Sequence, residues 1–499
     1  MKKMYCVLLV SCFFLSVAGC SFMLGPYDGS RRHVPEDRAT VGPILPDPNS
    51  IAVEPLDFDP PAPERVVLDN GMVLFFMEDR ELPLVSLSLA MRAGSIFDPP
   101  GLEGLAAMTG KSMIRGGTVR MTPDEVDDEL DFLAADISVS VGKKTMVLSL
   151  DATADTFDRA FEIFYDILHH PRFSEQRLAS AENVTVEDLR RIPDNPQRLA
   201  FRELSRLLYD DDRWGRSPSI DSVRAITRDH CRTFHKNFIQ SGPAMAAVSG
   251  DVSLREIRTK LNDLFGSRSL EESEPLPEPP DPRESAPIYY LPKDLPQSVI
   301  VAGYLVPGEN DPDFYAMEVL NDIAGGGGFQ SRMMTEIRTR RGLAYSAGSI
   351  YEPKSDFGVV AVYAMTKSES TANVVDLANA ILEDLARNPV DAQTLDRSRK
   401  SLINSHVFSF TSASKITRIQ MMNAFRGLPD NFLKTYTDRI ATVDAEDVRR
   451  SADAYLGSNR RVLLVLGNPD SFMEQLSAKG TLVEIHSDLL EDAREPATE

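Results

Sequence analysis

The chain has few cysteines, no excess of basic residues and a single long apolar run, and each shortage excludes a class of protein. Of its four cysteines, Cys6, Cys12 and Cys20 lie close to the N-terminus. Only Cys231 remains in the body of the chain, so no internal disulfide can form there. The formal net charge of −21 argues against nucleic-acid or anionic-surface binding, which needs basic patches. Stability must therefore come from core burial, for which 499 residues with 42% hydrophobic content are enough.

The one long apolar run, Met4–Val17, follows two lysines. A transmembrane anchor is the alternative interpretation, but the run is short for a bilayer core of about 30 Å. It ends in Val17-Ala18-Gly19-Cys20, which resembles the lipobox of bacterial lipoproteins, where cleavage precedes a cysteine that receives lipid. Ser21 in place of aspartate favours the outer membrane. We expect residues 1–19 to be a signal peptide and Cys20 to anchor the protein in the cell envelope, facing the periplasm.

Two proline-rich segments divide the remainder. Residues 21–64 carry nine prolines and no apolar periodicity, which is typical of an extended tether. Residues 271–285 read EESEPLPEPPDPRES, too acidic and too poor in apolar residues to form a core. The predicted boundaries are a tether at 20–64, an N-terminal domain at 65–268, a linker at 269–285, a C-terminal domain at 286–488 and an acidic tail at 489–499.

The two predicted domains show signs of a duplication. Three pairs of residues are each 217 positions apart: Val223 and Ile440, Ile226 and Val443, Gly250 and Gly467. Equal offsets argue for a repeated unit of about 200 residues, since repeat periods mark duplicated architectures. Chance similarity between short apolar patterns is the alternative.

Strand and helix patterns alternate within each half. Four segments alternate apolar and small or polar residues, as half-buried strands do: 85–91, 146–150, 357–365 and 461–466. Residues 157–168 and 374–385 keep helical spacing, and Thr122-Pro123-Asp124-Glu125 is a capping box that opens a helix. The pattern predicts an α+β fold of two homologous domains, each a mostly antiparallel sheet packed against helices.

Residues 104–118 read GLAAMTGKSMIRGGT and follow AGSIFDPPGLE. This context resembles the metal-site helix of insulinase-like (pitrilysin-type) metallopeptidases, which include the mitochondrial processing peptidases. In that family the frame carries His-x-x-Glu-His, which supplies two zinc ligands and a general base. Here the three positions hold Ala107, Gly110 and Lys111, none of which can bind zinc or accept a proton. The resemblance therefore implies a subunit without zinc of its own, and zinc in a partner.

No other residues replace the missing ligands. Asp188 falls at the position of the family's third ligand, with Glu187 beside it. One carboxylate cannot hold zinc without its two imidazoles, so we interpret both residues as part of a solvated helix face. The histidines are scattered: His230 and His235, for example, are five positions apart and do not share one helical face.

A glycine run in the second half carries the strongest positive motif. AGGGGF at 324–329 precedes EIRTRRGLAYSAGS at 336–349, and this order resembles the C-terminal-type domain of the same family. The resemblance implies that Gly325, Gly326, Gly327 and Gly328 contact a substrate peptide. A loose turn between two helices is the alternative interpretation. A phosphate-binding loop is disfavoured because no Lys-Ser/Thr pair follows the glycines.

Arg338 and Tyr345 match the family's Arg-six-residues-Tyr pair. The resemblance implies that the pair faces the zinc of another domain or subunit, where a guanidinium and a phenol can donate hydrogen bonds to a peptide oxyanion. The alternative is a surface arginine and a packed tyrosine. Arg340 and Arg341 are neighbours, and the spacing selects Arg338.

The leading hypothesis is an envelope-anchored, non-zinc subunit of a heteromeric metallopeptidase. A zinc-bearing insulinase-like partner would bring the metal and the base, and the substrate would be a peptide or unfolded protein. The alternative is a non-catalytic lipoprotein that binds peptides or acts as a scaffold. A third reading, a peptidase active alone, requires zinc ligands that the sequence lacks.

Overall fold

A computed structural model describes residues 59–210, 213–240, 244–265, 275–282, 284 and 287–492. The predicted signal peptide, Cys20, most of the predicted tether and part of the predicted linker lie outside these residues. No described helix is long and apolar enough to cross a membrane.

Two six-stranded sheets form the frame of the molecule. The first contains β1 (Glu64–Val67), β2 (Val73–Glu78), β3 (Leu84–Met91), β4 (Asp136–Val141), β5 (Met146–Thr153) and β6 (Ala244–Gly250), in the order β1-β2-β6-β3-β5-β4. The second contains β7 (Ile288–Pro292), β8 (Gln297–Val306), β9 (Ala344–Pro353), β10 (Gly358–Lys367), β11 (Val462–Gly467) and β12 (Leu482–Glu484), in the order β12-β7-β11-β8-β10-β9. Among the described strands, the pairs β2–β6, β7–β11 and β7–β12 are parallel and the other pairs are antiparallel.

Helices fill the connections of both halves. The first half has α1 (Leu105–Arg115), α2 (Pro123–Phe132), α3 (Phe157–His169), α4 (Glu175–Arg190), α5 (Pro196–Leu208), α6 (Ile220–Arg224), α7 (Arg228–Phe234) and α8 (Leu254–Phe265). The second has α9 (Phe314–Asn321), α10 (Thr371–Arg387), α11 (Ala392–His406), α12 (Ala413–Phe425), α13 (Phe432–Thr442), α14 (Ala445–Tyr455), α15 (Met473–Ser477) and α16 (Asp488–Asp492). The predicted α+β class of two homologous, mostly antiparallel domains is confirmed.

The local patterns formed the expected elements. In β3, Leu87 and Leu89 are buried on one face. On the opposite face Ser88 and Ala90 are buried as well, because α12 packs there, so β3 is buried on both faces and not half-buried as its alternation predicted. The Thr122 hydroxyl accepts the amide N–H of Glu125, whose carboxylate accepts the N–H of Thr122, so the predicted capping box opens α2. Gly250 and Gly467 are the last residues of β6 and β11, which occupy the same place in the two sheets.

Each half lends one helix to the other half's sheet. Helix α5 packs on β8 and β11, and α12 packs on β6 and β2. A Cβ at Gly303 of β8 would lie 3.2 Å from Leu204 Cδ1 of α5, so glycine permits this close approach. In return, Met421 of α12 is fully buried against Phe75 of the first sheet. The exchange joins both halves into one packed body.

The end of the described chain returns to the first half. Arg202 of α5 makes two hydrogen bonds with the Asp488 carboxylate, at 2.9 and 3.2 Å, and Ser487 donates to the buried Glu203 carboxylate at 2.8 Å. Leu489, in the predicted tail, is 1% exposed. The packed chain therefore extends past residue 488, where the sequence placed the end of the second domain.

Candidate functional site

Helix α1, which carries the three degenerate positions, is anchored by Asp98. The buried Asp98 carboxylate accepts the backbone N–H groups of Gly104 and Ala106, both at 2.8 Å. These donors belong to the helix N-terminus, which has no intrahelical partners for them. Burial raises the pKa of Asp98 to about 6. Gly104 itself has a φ of +106°, a left-handed conformation that favours glycine.

The degenerate positions differ in what surrounds them. Ala107 is half-buried, Gly110 is buried and Lys111 is exposed. At Gly110 the helix rests on the edge strand β4, where a Cβ would lie 3.0 Å from Val139 Cγ2 and 3.4 Å from Val141 Cγ2. The position that carries the general base in the resembled motif is thus closed by packing.

Helix α4, which carries Asp188 at the predicted third-ligand position, packs against α1. The Lys111 ammonium donates to the hydroxyl of Thr185, with 3.1 Å between Nζ and Oγ1. Asp188 follows one turn later and is exposed, and Glu187 is paired with Arg190 at 2.8 Å. The structure thus brings Lys111 to α4, where it contacts a hydroxyl.

These side chains do not fit a zinc ion. A methyl group, a glycine and an ammonium offer it no lone pair, and Thr185 is not among the usual zinc ligands. Within the described part of the chain, no three His, Cys, Asp or Glu side chains are grouped so that they could hold a metal. His235 and His406 instead bond to the carbonyl oxygens of Leu168 and Leu433, at 2.7 and 3.0 Å.

In the second half, the glycine run ends a helix. Helix α9 continues into a π-helical turn at Asp322–Gly326. Gly325 is buried there, and a Cβ would overlap the backbone nitrogen of Ser349 in β9. This glycine therefore permits close contact between helix and strand.

The last glycine turns the chain outwards. Gly328 has a φ of +61° and no neighbour within 4 Å of a Cβ position. The carbonyl oxygen of Gly328 accepts both the N–H and the hydroxyl of the buried Ser331, at 3.1 and 2.8 Å. Phe329, between them, is 72% exposed. The turn is held by hydrogen bonds while its aromatic side chain faces solvent.

The Arg338 guanidinium lies near two aromatic rings. Its Cζ atom is 5.2 Å from the ring centroid of Phe329 and 5.8 Å from that of Tyr345. Nη1 approaches Met334 Sδ at 3.9 Å, and no ion pair joins the guanidinium to a described carboxylate. Tyr345 stands on β9, an edge strand, and is 74% exposed. The predicted pair is thus brought together and accessible.

The neighbouring arginines are engaged elsewhere. Arg340 and Arg341 both pair with the Glu336 carboxylate, each at 2.5 Å. These contacts hold the pKa of Glu336 below its usual value, with the hydrogen bond from Arg341 as the largest cause. Among these three arginines, Arg338 is the one without a carboxylate in the described structure.

Two residues of this geometry were missed by sequence reasoning. Phe329 follows the glycines directly, and its position at the end of a glycine turn was the available clue. Thr185 had none, because it is 74 residues from Lys111 and only the packing of α4 on α1 brings them together.

Comparisons with known proteins give two family matches. Residues 75–219 match the family model described as insulinase (peptidase family M16), and residues 225–402 match the one described as peptidase M16 inactive domain. An uncharacterized zinc protease of Rickettsia felis is 26% identical over 303 residues, covering 60% of this chain and 72% of that protein. One of Mycobacterium tuberculosis is 24% identical over 416 residues, covering 81% and 93%.

Solved structures share the fold. The peptidase M16 inactive domain from Pseudomonas fluorescens has a TM-score of 0.75 and 24% identity, and the match covers 81% of this chain and 98% of that one. The periplasmic protease PqqL from Escherichia coli has a TM-score of 0.69 and 14% identity, covering 84% of this chain and 46% of that one. With both family models matched in chain order over the two halves, the chain belongs to the insulinase family of peptidases, M16.

Proposed function

We propose that this chain is the non-zinc subunit of a two-chain peptidase and lends Arg338 and Tyr345 to a family partner that carries the metal ligands and the base. The observation that carries the proposal is the Arg338 guanidinium, held near two exposed rings without a described carboxylate partner. An arginine that served only stability would be expected to pair with a carboxylate, as Arg340 and Arg341 do.

The chemistry of this pair suits peptide hydrolysis. When a peptide carbonyl is attacked, its oxygen gains negative charge, and preorganised donors stabilise that charge. The guanidinium has several N–H donors in a planar fork and stays charged, and the Tyr345 phenol adds one O–H donor. Neither group needs a metal in its own chain. Of the four predicted peptide-contacting glycines, Gly326, Gly327 and Gly328 would lie beside the same peptide, whereas Gly325 is buried against β9 and is not accessible to it.

The second part of the proposal concerns location. Cys20 would carry a lipid that anchors the chain in the outer membrane, and the proline-rich tether would hold the folded part in the periplasm. The support is the lipobox-like Val17-Ala18-Gly19-Cys20 behind a short apolar run.

The test compares the chain with and without a family partner that has His-x-x-Glu-His. Alone, the purified chain should bind less than stoichiometric zinc by elemental analysis and show no chelator-sensitive peptidase activity. Together, the two chains should hydrolyse peptides faster than the partner alone. Tight one-to-one zinc in this chain would contradict the proposal.

The same experiment separates the alternative function, a peptide-binding scaffold. The exposed rings of Phe329 and Tyr345 favour it, because they could hold a peptide without cleaving it. If the chain binds peptides and the partner's turnover is unchanged by its presence, the scaffold function replaces the catalytic one.

A further inference from the structure

Phe329 is a largely exposed aromatic side chain beside the Arg338 guanidinium. It is 72% exposed, yet its turn is fixed: the buried Ser331 bonds to Gly328, and the Thr335 hydroxyl donates to the carbonyl oxygen of Phe329 at 3.3 Å. A rigid turn that presents a large ring to water costs hydrophobic free energy. Exposure alone does not mark a binding residue, since Phe132 and Phe408 are exposed to a similar extent. Phe329 is distinguished by its position beside the Arg338 guanidinium.

The ring also holds Arg338. Its centroid is nearer to the guanidinium than that of Tyr345, at 5.2 against 5.8 Å. A cation–π contact at an exposed site contributes little to the free energy of folding. That is too little to decide whether the chain folds, but it is enough to favour one orientation of a long side chain.

We propose that Phe329 is a third member of the Arg338–Tyr345 group, and that its ring and that of Tyr345 bind a large apolar, preferably aromatic, peptide side chain next to the carbonyl that Arg338 binds. The inference rests on the proposed function for the presence of a peptide there. The charge of the group supports it, because a guanidinium without a described carboxylate partner repels a basic side chain and accepts a neutral one beside a carbonyl oxygen.

The binding test uses the purified full chain without any partner. Fluorescence anisotropy would measure the affinity of the chain for four end-blocked, labelled peptides. The peptides differ at one position, which holds Phe, Leu, Ala or Lys. The native chain should bind the Phe peptide about three- to tenfold more tightly than the Ala peptide, the scale of one aromatic contact, and the Lys peptide most weakly. Equal affinity for all four peptides, or no measurable binding, would overturn the inference.

Variants locate the preference. In the native chain the affinity for the Phe peptide should exceed that for the Ala peptide. Phe329→Ala should reduce this affinity ratio to about one, and Phe329→Tyr should restore it. The matched control is Phe408→Ala, since Phe408 is also a highly exposed phenylalanine, at 67%, and this change should leave the ratio intact. Arg338→Ala should weaken the Phe and Ala peptides by the same factor, because the carbonyl contact is common to both.

The proposed role of Phe329 would be contradicted if Phe408→Ala abolished the preference for the Phe peptide, or if Phe329→Ala kept it. The proposed catalytic function can fail separately. If the affinity ratio depends on Phe329 while no partner complex hydrolyses peptide, Phe329 binds peptide side chains and the proposed catalytic role is wrong. If the complex is active and Phe329→Ala leaves the affinity ratio unchanged, the proposed catalytic role stands and the role of Phe329 in binding is wrong.

Discussion

The ammonium of Lys111 in α1 donates a hydrogen bond to the hydroxyl of Thr185 in α4, with 3.1 Å between Nζ and Oγ1. In the resembled motif, Lys111 takes the place of the second histidine, and α4 carries the third ligand. A direct contact between side chains thus joins two helices that a shared metal would otherwise join. The chain belongs to the M16 family, and the three motif positions on α1 hold Ala107, Gly110 and Lys111.

Replacing the residues of α1 by those of the His-x-x-Glu-His motif should therefore change the stability of the chain. Gly110→Glu should lower the free energy of unfolding by about 1–3 kcal/mol, the usual cost of overpacking, because its Cβ would meet Val139 at 3.0 Å. Lys111→His, at an exposed position, should cost less than 1 kcal/mol, since it loses one solvent-exposed hydrogen bond. Denaturant unfolding would measure both. A Gly110→Glu variant as stable as the native chain would mean that the site is open.

The glycine run should show two distinct requirements. Gly325→Ala should destabilise the fold severely, because its Cβ would overlap the Ser349 backbone, which cannot move independently of β9. Gly328→Asn should be tolerated, since the position is open and asparagine accepts a φ near +61°. Thermal melting of the two variants checks this. Equal melting temperatures would show that no close contact with β9 exists.

The stability of the second half should depend on pH through Glu318. Burial raises the pKa of this carboxyl from its usual 4.5 to about 7, and the Tyr436 hydroxyl donates to it at 3.3 Å. Between these values the folded state holds a proton that the unfolded state has released. This group's contribution to the free energy of unfolding therefore falls as pH rises from 4.5 to 7.

Glu318→Gln removes the titration and keeps an oxygen for Tyr436. The variant should gain stability relative to the native chain as pH rises from 4.5 to 7, and the difference should stay constant above pH 8. Denaturant unfolding at several pH values gives the difference directly. A difference that does not change with pH would refute the assignment.

The proposed membrane anchor has a single-residue test. Cys20→Ser should abolish lipidation and leave a soluble or unprocessed protein, because in this proposal one thiol would carry the anchor. Cys12→Ser, within the apolar run, is the control and should not alter processing. Membrane fractionation and intact mass would decide, and an unchanged processed mass with membrane retention in Cys20→Ser would contradict the proposal.

Much of the fold followed from local pattern. The alternation in 85–91 gave β3 because successive side chains of a strand point to opposite faces. It did not reveal that α12 buries the second face as well. The capping box at Thr122 gave the start of α2. The spacing of Gly250 and Gly467 matched the ends of equivalent strands. Each of these signals lies within one element or one repeat.

The exchange of α5 and α12 was not predicted. An apolar helix face shows that a helix is buried, but it does not identify the sheet against which the helix packs. For the same reason, the sequence did not predict the Lys111–Thr185 hydrogen bond or the grouping of Phe329 with Arg338. The chemistry of the residues was readable in the sequence, and their juxtaposition depended on tertiary packing.

The most direct test of the central claim is turnover of the reconstituted complex with changes in this chain alone. Arg338→Ala should lower kcat by roughly 10²-fold or more, the usual scale for one lost oxyanion donor. Tyr345→Phe should lower kcat with no change in melting temperature, because the hydroxyl is on an exposed ring. Arg340→Ala, whose side chain pairs with Glu336, should be nearly silent, and all three variants should still bind the partner. A large loss of kcat in Arg340→Ala together with full activity in Arg338→Ala would contradict the proposed role of Arg338. Full activity in all three variants would show that the chain supplies no catalytic group.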